Sequence, residues 1–283
     1  MPGDYWFAKV DLTSMMVFRT LILLALLSVL VACQDDGQLP GDMPTPASRE
    51  GVGTAQALTA IAPPAGFNTS VSFPAIDNEL VVLPNWHYQM TLRFEGVFTG
   101  TTRTVSGQTT IDTWYDQIGQ RRRVVIERSG NLLTDEEQTD TRLEAVRIIE
   151  DTFLVRDNVC VAENTDASAD LANLRASDFI GGVARAVPAG GPERINGEDV
   201  WPYAFAAEDL IRPPALEEGT ITAFDAELWV APEHNAVIRY YVTLNVESAT
   251  VFNSSAPLDG VVTILYDLNQ IGIDPNITRP FGC

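Results

Sequence analysis

The chain has 283 residues, with 18 Lys plus Arg against 38 Asp plus Glu, a formal charge of -20 and an isoelectric point near 4.3. That balance excludes a nucleic-acid binder, whose partner phosphates need a basic footprint, and a polybasic grip on anionic lipid heads. Lys9 is the only lysine, so Schiff-base and P-loop chemistry find no amine in the rest of the chain.

In chain order, the first element is Met16 to Cys33. Arg19 supplies a positive start, Leu21 to Leu30 an apolar run, and Leu30-Val31-Ala32-Cys33 a small-residue end, the layout of a secretory signal. The stretch resembles the lipobox of bacterial lipoproteins, in which the Cys becomes the lipidated first residue of the mature protein. Leu21 to Ala32 spans 12 residues, against the roughly 20 that a bilayer crossing needs. Gln34-Asp35-Asp36-Gly37 follows with none of the amphipathic pattern of a buried helix. Met15 or Met16 would open a tighter signal than Met1. The expected organisation is a signal peptide ending in a lipidated Cys33 over 1–33, a linker over 34–66 and a β-rich domain over 67–283. The lipid on Cys33 is the expected membrane attachment, and stable anchoring takes more than one acyl chain. The lipobox resemblance implies an extracytoplasmic, membrane-anchored protein. In a cell with two membranes, Gln34 in place of the Asp that signals inner-membrane retention favours the outer one.

With Cys33 assigned to lipid, Cys160 and Cys283 are left as an even pair in an oxidising compartment. A disulfide between them would close a loop of over a hundred residues. In the chain-entropy model that is worth on the order of 4–5 kcal/mol. The alternative is two free thiols.

Pro40, Pro44, Pro46, Pro63 and Pro64 break up the linker, with one short helix expected over Thr54 to Ile61. Gly51-Val52-Gly53 follows no strand and precedes no Gly-Lys-Ser, so it is not a phosphate loop. Trp86 to Glu95 alternates apolar and polar residues strictly, predicting a long strand with one buried face. Arg103 to Tyr115 and Gln120 to Arg128 read as the next two strands. Arg121, Arg122 and Arg123 alternate faces in such a strand and read as strand-edge charge, the alternative being contact with a ligand head group. The acidic stretch Ser129 to Thr141 lacks the Asp-x-Asp-x-Asp-Gly spacing of a calcium loop. Arg142 to Ile149 and Thr152 to Ala162 predict a strand pair, and Asp166 to Ala176 the best helix. Asn196-Gly197 is a strong hairpin signal. Ile221 to Val230 alternates, Pro232 to Asn235 turns, Val237 to Val246 returns, and Val261 to Tyr266 supplies a last strand. The domain is therefore expected to be mainly β and antiparallel, with one or two short helices. One face is expected to carry Trp86, Tyr88, Met90, Leu92, Phe94, Trp114, Trp229 and Tyr241. Such a sheet must be covered or curl on itself, as a sandwich, a closed barrel or an open half-barrel.

Three stretches carry a family resemblance: Trp86 to Arg128; Glu193-Arg194-Ile195-Asn196-Gly197 with Trp201-Pro202-Tyr203-Ala204-Phe205; and Ala226 to Val230 with its return strand through Val246. Over roughly residues 67–270 the order of elements resembles the carrier fold shared by LolA-like proteins and the LppX-LprG-type lipid-binding lipoproteins. That resemblance implies a strongly curved antiparallel half-barrel around an apolar cavity, with helices across its mouth, and no catalysis. That family carries a substantial N-terminal helix where this chain is short and broken by proline. The implied ligand is apolar or amphipathic, lipid for example, lined by Tyr88, Met90, Leu92, Phe94, Trp114 and Trp229. The alternative is an envelope interaction domain in which the same residues are ordinary core.

Signals of catalysis are sparse. His87 and His234 are the only histidines, no Gly-x-Ser-x-Gly elbow occurs, and His-Glu-x-x-His and Cys-x-x-Cys are absent. No catalytic residue, metal site or cofactor is expected, and no protein partner is legible.

Overall fold

The strict alternation after Trp86 builds the strand on which the rest is laid. In the computed structural model, which describes residues 64–132 and 142–283, it is β2 (Asn85–Phe98). Met16 to Cys33, the linker as far as residue 63 with its expected helix, and most of the acidic loop lie outside the described residues. β2 is followed by β3 (Thr104–Asp116), β4 (Arg121–Ser129), β5 (Arg142–Ile148), β6 (Asp151–Arg156) and β7 (Val159–Glu163) as an antiparallel meander. β1 (Val71–Phe73) precedes it and pairs with β8 (Gly182–Pro188), which opens the second half of the chain.

That half runs through β9 (Glu193–Ile195), β10 (Glu198–Ala204), β11 (Leu210–Ile211), β12 (Thr220–Ala231), β13 (Ala236–Ala249) and β14 (Leu258–Asn269). The main order is β1-β8-β10-β12-β13-β14-β2-β3-β4-β5-β6-β7, in one fourteen-stranded sheet. β9 and β11 pair at its side. The two halves meet at a seam where β14 lies along β2 from Asn269 opposite His87 to Leu258 opposite Phe98. The sheet is curved and does not close on itself, an open half-barrel.

Curvature has local causes. Register shifts in β12–β13, at Ile221/Ala223 and Trp229/Val230, and in β13–β14, at Val246/Ala249, insert extra residues that bend the strands. At the seam Gly96 faces Gly260, and a Cβ on either would meet a backbone oxygen and the Phe94 ring. The ring of Phe94 covers this bare pair, as an aromatic does over a strand glycine.

Two expectations need correction. Thr152 to Ala162 is not one strand: Asp157 and Asn158 both take positive φ, 48° and 65°, and turn the chain between β6 and β7. The helix is α1 (Asp166–Ala172), shorter than expected because Asn173 caps it. Its start is a capping box between Thr165 and Ser168. A second short helix, α2 (Ser177–Ile180), follows. The Asn196-Gly197 hairpin forms as expected, with positive φ at both residues.

Candidate functional site

Register brings one residue from each of eight strands into a row on the concave face: Tyr203, Leu228, Tyr240, Tyr266, Met90, Ile111, Ile126 and Leu143. Tyr88, Met90, Leu92 and Phe94 belong to this face and are at most 1 % exposed. They are sealed by the chain itself. Val71 and Phe73 of β1, Ile76, Leu80 of the 3-10 turn Asn78–Val82, and Leu83 lie in the same apolar cluster, with Ile180 of α2. The cover is held at its turn by Trp86, whose indole N–H donates to the Leu80 carbonyl at 3.1 Å. Asp77 accepts from the Ala176 N–H at 2.9 Å. Burying each large side chain of this kind contributes about 1.5–3 kcal/mol, so the cover is a substantial part of the core.

The concave interior is apolar but not wholly so. The hydroxyls of Tyr240 and Tyr266 are buried without a hydrogen-bond partner, while that of Tyr88 is buried beside the Thr113 hydroxyl and the Arg122 guanidinium. Tyr88 and Tyr266 pack ring against ring, centroids 5.3 Å apart. Burial pushes the Tyr88 hydroxyl up to about 12, with the Arg122 charge pulling the other way. Burial raises Tyr240 as well, and raises Tyr266 well above the ordinary tyrosine value, aided by the Asp77 carboxylate. These rings therefore stay neutral donors at any physiological pH.

Trp114 and Trp229 are not on this face, which corrects the expectation that all the large side chains share one. Trp114 is directly opposite His87, and Trp229 opposite Arg239, both on the convex side. Parity decides it: residues one step away, Thr113 and Leu228, are the ones that point inward. Tyr241 is likewise convex, opposite Glu227. The imidazole of His87 stacks on Trp114 at 4.4 Å, and its two nitrogens meet Asn269 at 2.8 Å and Asp112 at 3.0 Å. Arg123 lies over the other part of the Trp114 ring and pairs with Glu144 at 2.8 Å. Trp229, Arg239, Tyr241 and Asp267 line a shallow convex opening of about 370 Å³, crossed by an Arg239–Asp267 ion pair at 2.7 Å. The six expected lining residues thus divide, four concave and two convex.

The convex face carries its own small core of Val146, Phe153 and Ile277, flanked by Trp114, Ile148 and Cys283. Arg121 donates to the Ile277 carbonyl at 3.1 Å, and Arg279 lies over the Phe153 ring and pairs with Glu163. The sulfurs of Cys160 and Cys283 are bonded, with Cα atoms 5.3 Å apart. Among the described residues the one cluster with metal-ligand spacing is Cys160, Glu163 and Cys283, and both of its sulfurs are committed to that bond. No helix among the described residues is long and apolar enough to cross a membrane.

What sequence reasoning missed is the role of Arg122. Of the three consecutive arginines, Arg121 and Arg123 serve the convex face, while Arg122 turns inward under the cover and donates to the Leu174 carbonyl. The signal was present in the alternation of β4, but the partner row was not.

No protein-family model matches the chain, and no curated protein matches it. Solved structures similar to it include a LolA superfamily protein from Nitrosomonas europaea, at 11% identity and a TM-score of 0.21, over 70% of this chain and 93% of that one. A DUF1329 family protein from Desulfovibrio piger is similar at 10% identity and a TM-score of 0.22, over 72% and 92%. A domain described as an outer membrane lipoprotein-sorting protein, from Vibrio parahaemolyticus, is similar at 9% identity and a TM-score of 0.20, over 67% and 88%.

Proposed function

We propose that this chain is a membrane-tethered, extracytoplasmic domain that takes an apolar or amphipathic ligand of lipid type onto the concave face of its half-barrel. Ile76 to Leu83, which follows β1, is the cover that gives way. One observation carries the reading: two tyrosine hydroxyls, Tyr240 and Tyr266, sit unpartnered in the middle of an apolar surface. Each buried orphan costs about 1–3 kcal/mol, and the ester or headgroup oxygens of an amphiphile would relieve that cost. The apolar row around them suits acyl chains. The lipobox supplies the tether. No nucleophile, base or metal takes part; binding is by burial and a few hydrogen bonds.

A second reading is favoured by a different observation. Tyr88, Met90, Leu92 and Phe94 are sealed by the chain's own side chains, as they would be in a solid interaction domain of the envelope.

The test is native mass spectrometry of the full chain, expressed with its own signal and extracted in a neutral detergent. The first reading expects a stoichiometric amphiphile mass, lost in a Tyr240→Phe/Tyr266→Phe variant that keeps its fold by circular dichroism. A chain that carries no such mass, and takes none from a presented lipid extract, is a filled envelope domain.

A further inference from the structure

Trp86, Tyr115, Arg122 and Arg147 are direct cross-strand neighbours, one from each of β2, β3, β4 and β5. They form the end row of the concave face. The connection from α1 to α2 brings Arg175 over this row, and the cover brings Asp77 and Leu80. Together they line an opening of about 420 Å³.

Charge in this opening runs against the rest of the molecule. In a chain of net charge -20, three guanidiniums here face one carboxylate. Arg122 and Arg147 are held by neutral acceptors, the Leu174 carbonyl and the Asn173 side-chain oxygen. Their Nε–H groups are buried with no partner. Neither has a carboxylate at ion-pair distance among the described residues. Asp77 is largely committed: one oxygen accepts from the Ala176 N–H, and that oxygen stands 3.8 Å from Arg175. Its other oxygen is buried and unpartnered, an acceptor for a donor group carried beside an anion. Gathering like charges in a cleft is unfavourable unless an anion binds there, and low-dielectric walls focus their field.

We infer that Arg122, Arg147 and Arg175 form a binding site for a phosphate group. Guanidinium forks pair bidentately with such oxyanions, and several converging forks suit a tetrahedral one. The walls add a preference for an apolar body. The Arg122 guanidinium lies 5.7 Å from the centroid of the Trp86 ring, and Val81 at the rim is 68 % exposed, next to Val82 at 65 %. The class of ligand is thus a phosphate carried on a hydrocarbon, its head in the arginine row and its chain directed along Trp86 and the cover. The hydrocarbon half rests on the proposed function; the phosphate half stands without it.

The experiment is isothermal titration of the intact chain in a neutral detergent with three probes: inorganic phosphate, hexyl phosphate and hexanol. Wild type is compared with Arg122→Gln, with the rim variant Arg175→Gln, and with Arg103→Gln, which removes a charge at the opposite end of β2. The site expects hexyl phosphate to bind, and each pocket variant to weaken it about tenfold, the value of a charge-assisted hydrogen bond. Arg103→Gln should match wild type. Equal binding of inorganic and hexyl phosphate keeps the anion site but removes the hydrocarbon preference, and with it this link to a lipid ligand. Should Arg122→Gln fail to fold, Arg175→Gln on the half-exposed rim decides alone. Absence of phosphate binding in both forms, or binding that Arg175→Gln and Arg122→Gln leave unchanged, overturns the inference.

Discussion

Each face of the half-barrel is covered by a segment of irregular chain, and the two covers are fastened differently. On the convex side Ile277 packs on Val146 and Phe153, and a disulfide between Cys160 and Cys283 ties the segment to β7. On the concave side Ile76 to Leu83, leading out of β1, is held by packing and a few hydrogen bonds. The concave cover belongs to the larger apolar cluster, and no covalent bond fastens it. A covalent strap suits a face that never opens. A packed cover over unpartnered hydroxyls is what the proposed function requires of a face that does.

Removing the strap should have the largest effect. A Cys160→Ser/Cys283→Ser variant should lose about 4–5 kcal/mol of stability in urea denaturation, from loop entropy over a sequence separation of 123. It should keep its concave ligand. A loss of ligand there would mean that the two faces are coupled. Next in size is a pair of truncations. Leu80→Ala should cost about 3 kcal/mol, as buried leucines do, while raising ligand occupancy by loosening the cover. Ile277→Ala should lower stability with occupancy unchanged. Equal occupancy in the two variants would argue against a displaceable cover.

The smallest effect appears at high pH. The Tyr88 hydroxyl titrates at about 12 in the fold against 10.0 when unfolded. The unfolded chain therefore releases its proton first. Stability is fully present below pH 10 and falls as pH rises from there toward 12, by about 1.4 kcal/mol per unit for such a group. Denaturation at pH 9 and 11 should show a smaller drop for Tyr88→Phe than for wild type. An unchanged drop would place the alkaline loss elsewhere.

Much of the frame was legible in the residues. The alternation after Trp86, the Asn196-Gly197 turn and the Pro232 to Asn235 turn each set an element through local sterics alone. The face of Trp114 was not legible. Facing depends on how β3 registers against β2, which is fixed by the whole hairpin rather than by the neighbours of Trp114. The Asp157-Asn158 turn escaped because both residues also occur in ordinary loops. The cover escaped for a related reason: Val71 and Phe73 keep strand spacing, and Ile76, Leu80 and Leu83 helical spacing, over too few residues to stand out, and only the concave surface gives them meaning. The arginine row needed four strands in register, information that no single stretch contains.

The seam between β14 and β2 also has a consequence in time. β2 sits mid-sheet, but its partner β14 begins at Leu258, some 160 positions after Phe98. As the chain emerges N-terminus first, β2 to β7 can pair locally while one edge of β2 stays open. That edge is long, with Tyr88, Met90, Leu92 and Phe94 along it. Until β14 arrives, the strand destined for the middle of the sheet behaves as an unprotected border, prone to pair with another molecule. Closing it is a late, long-range event, so folding is slow by topology.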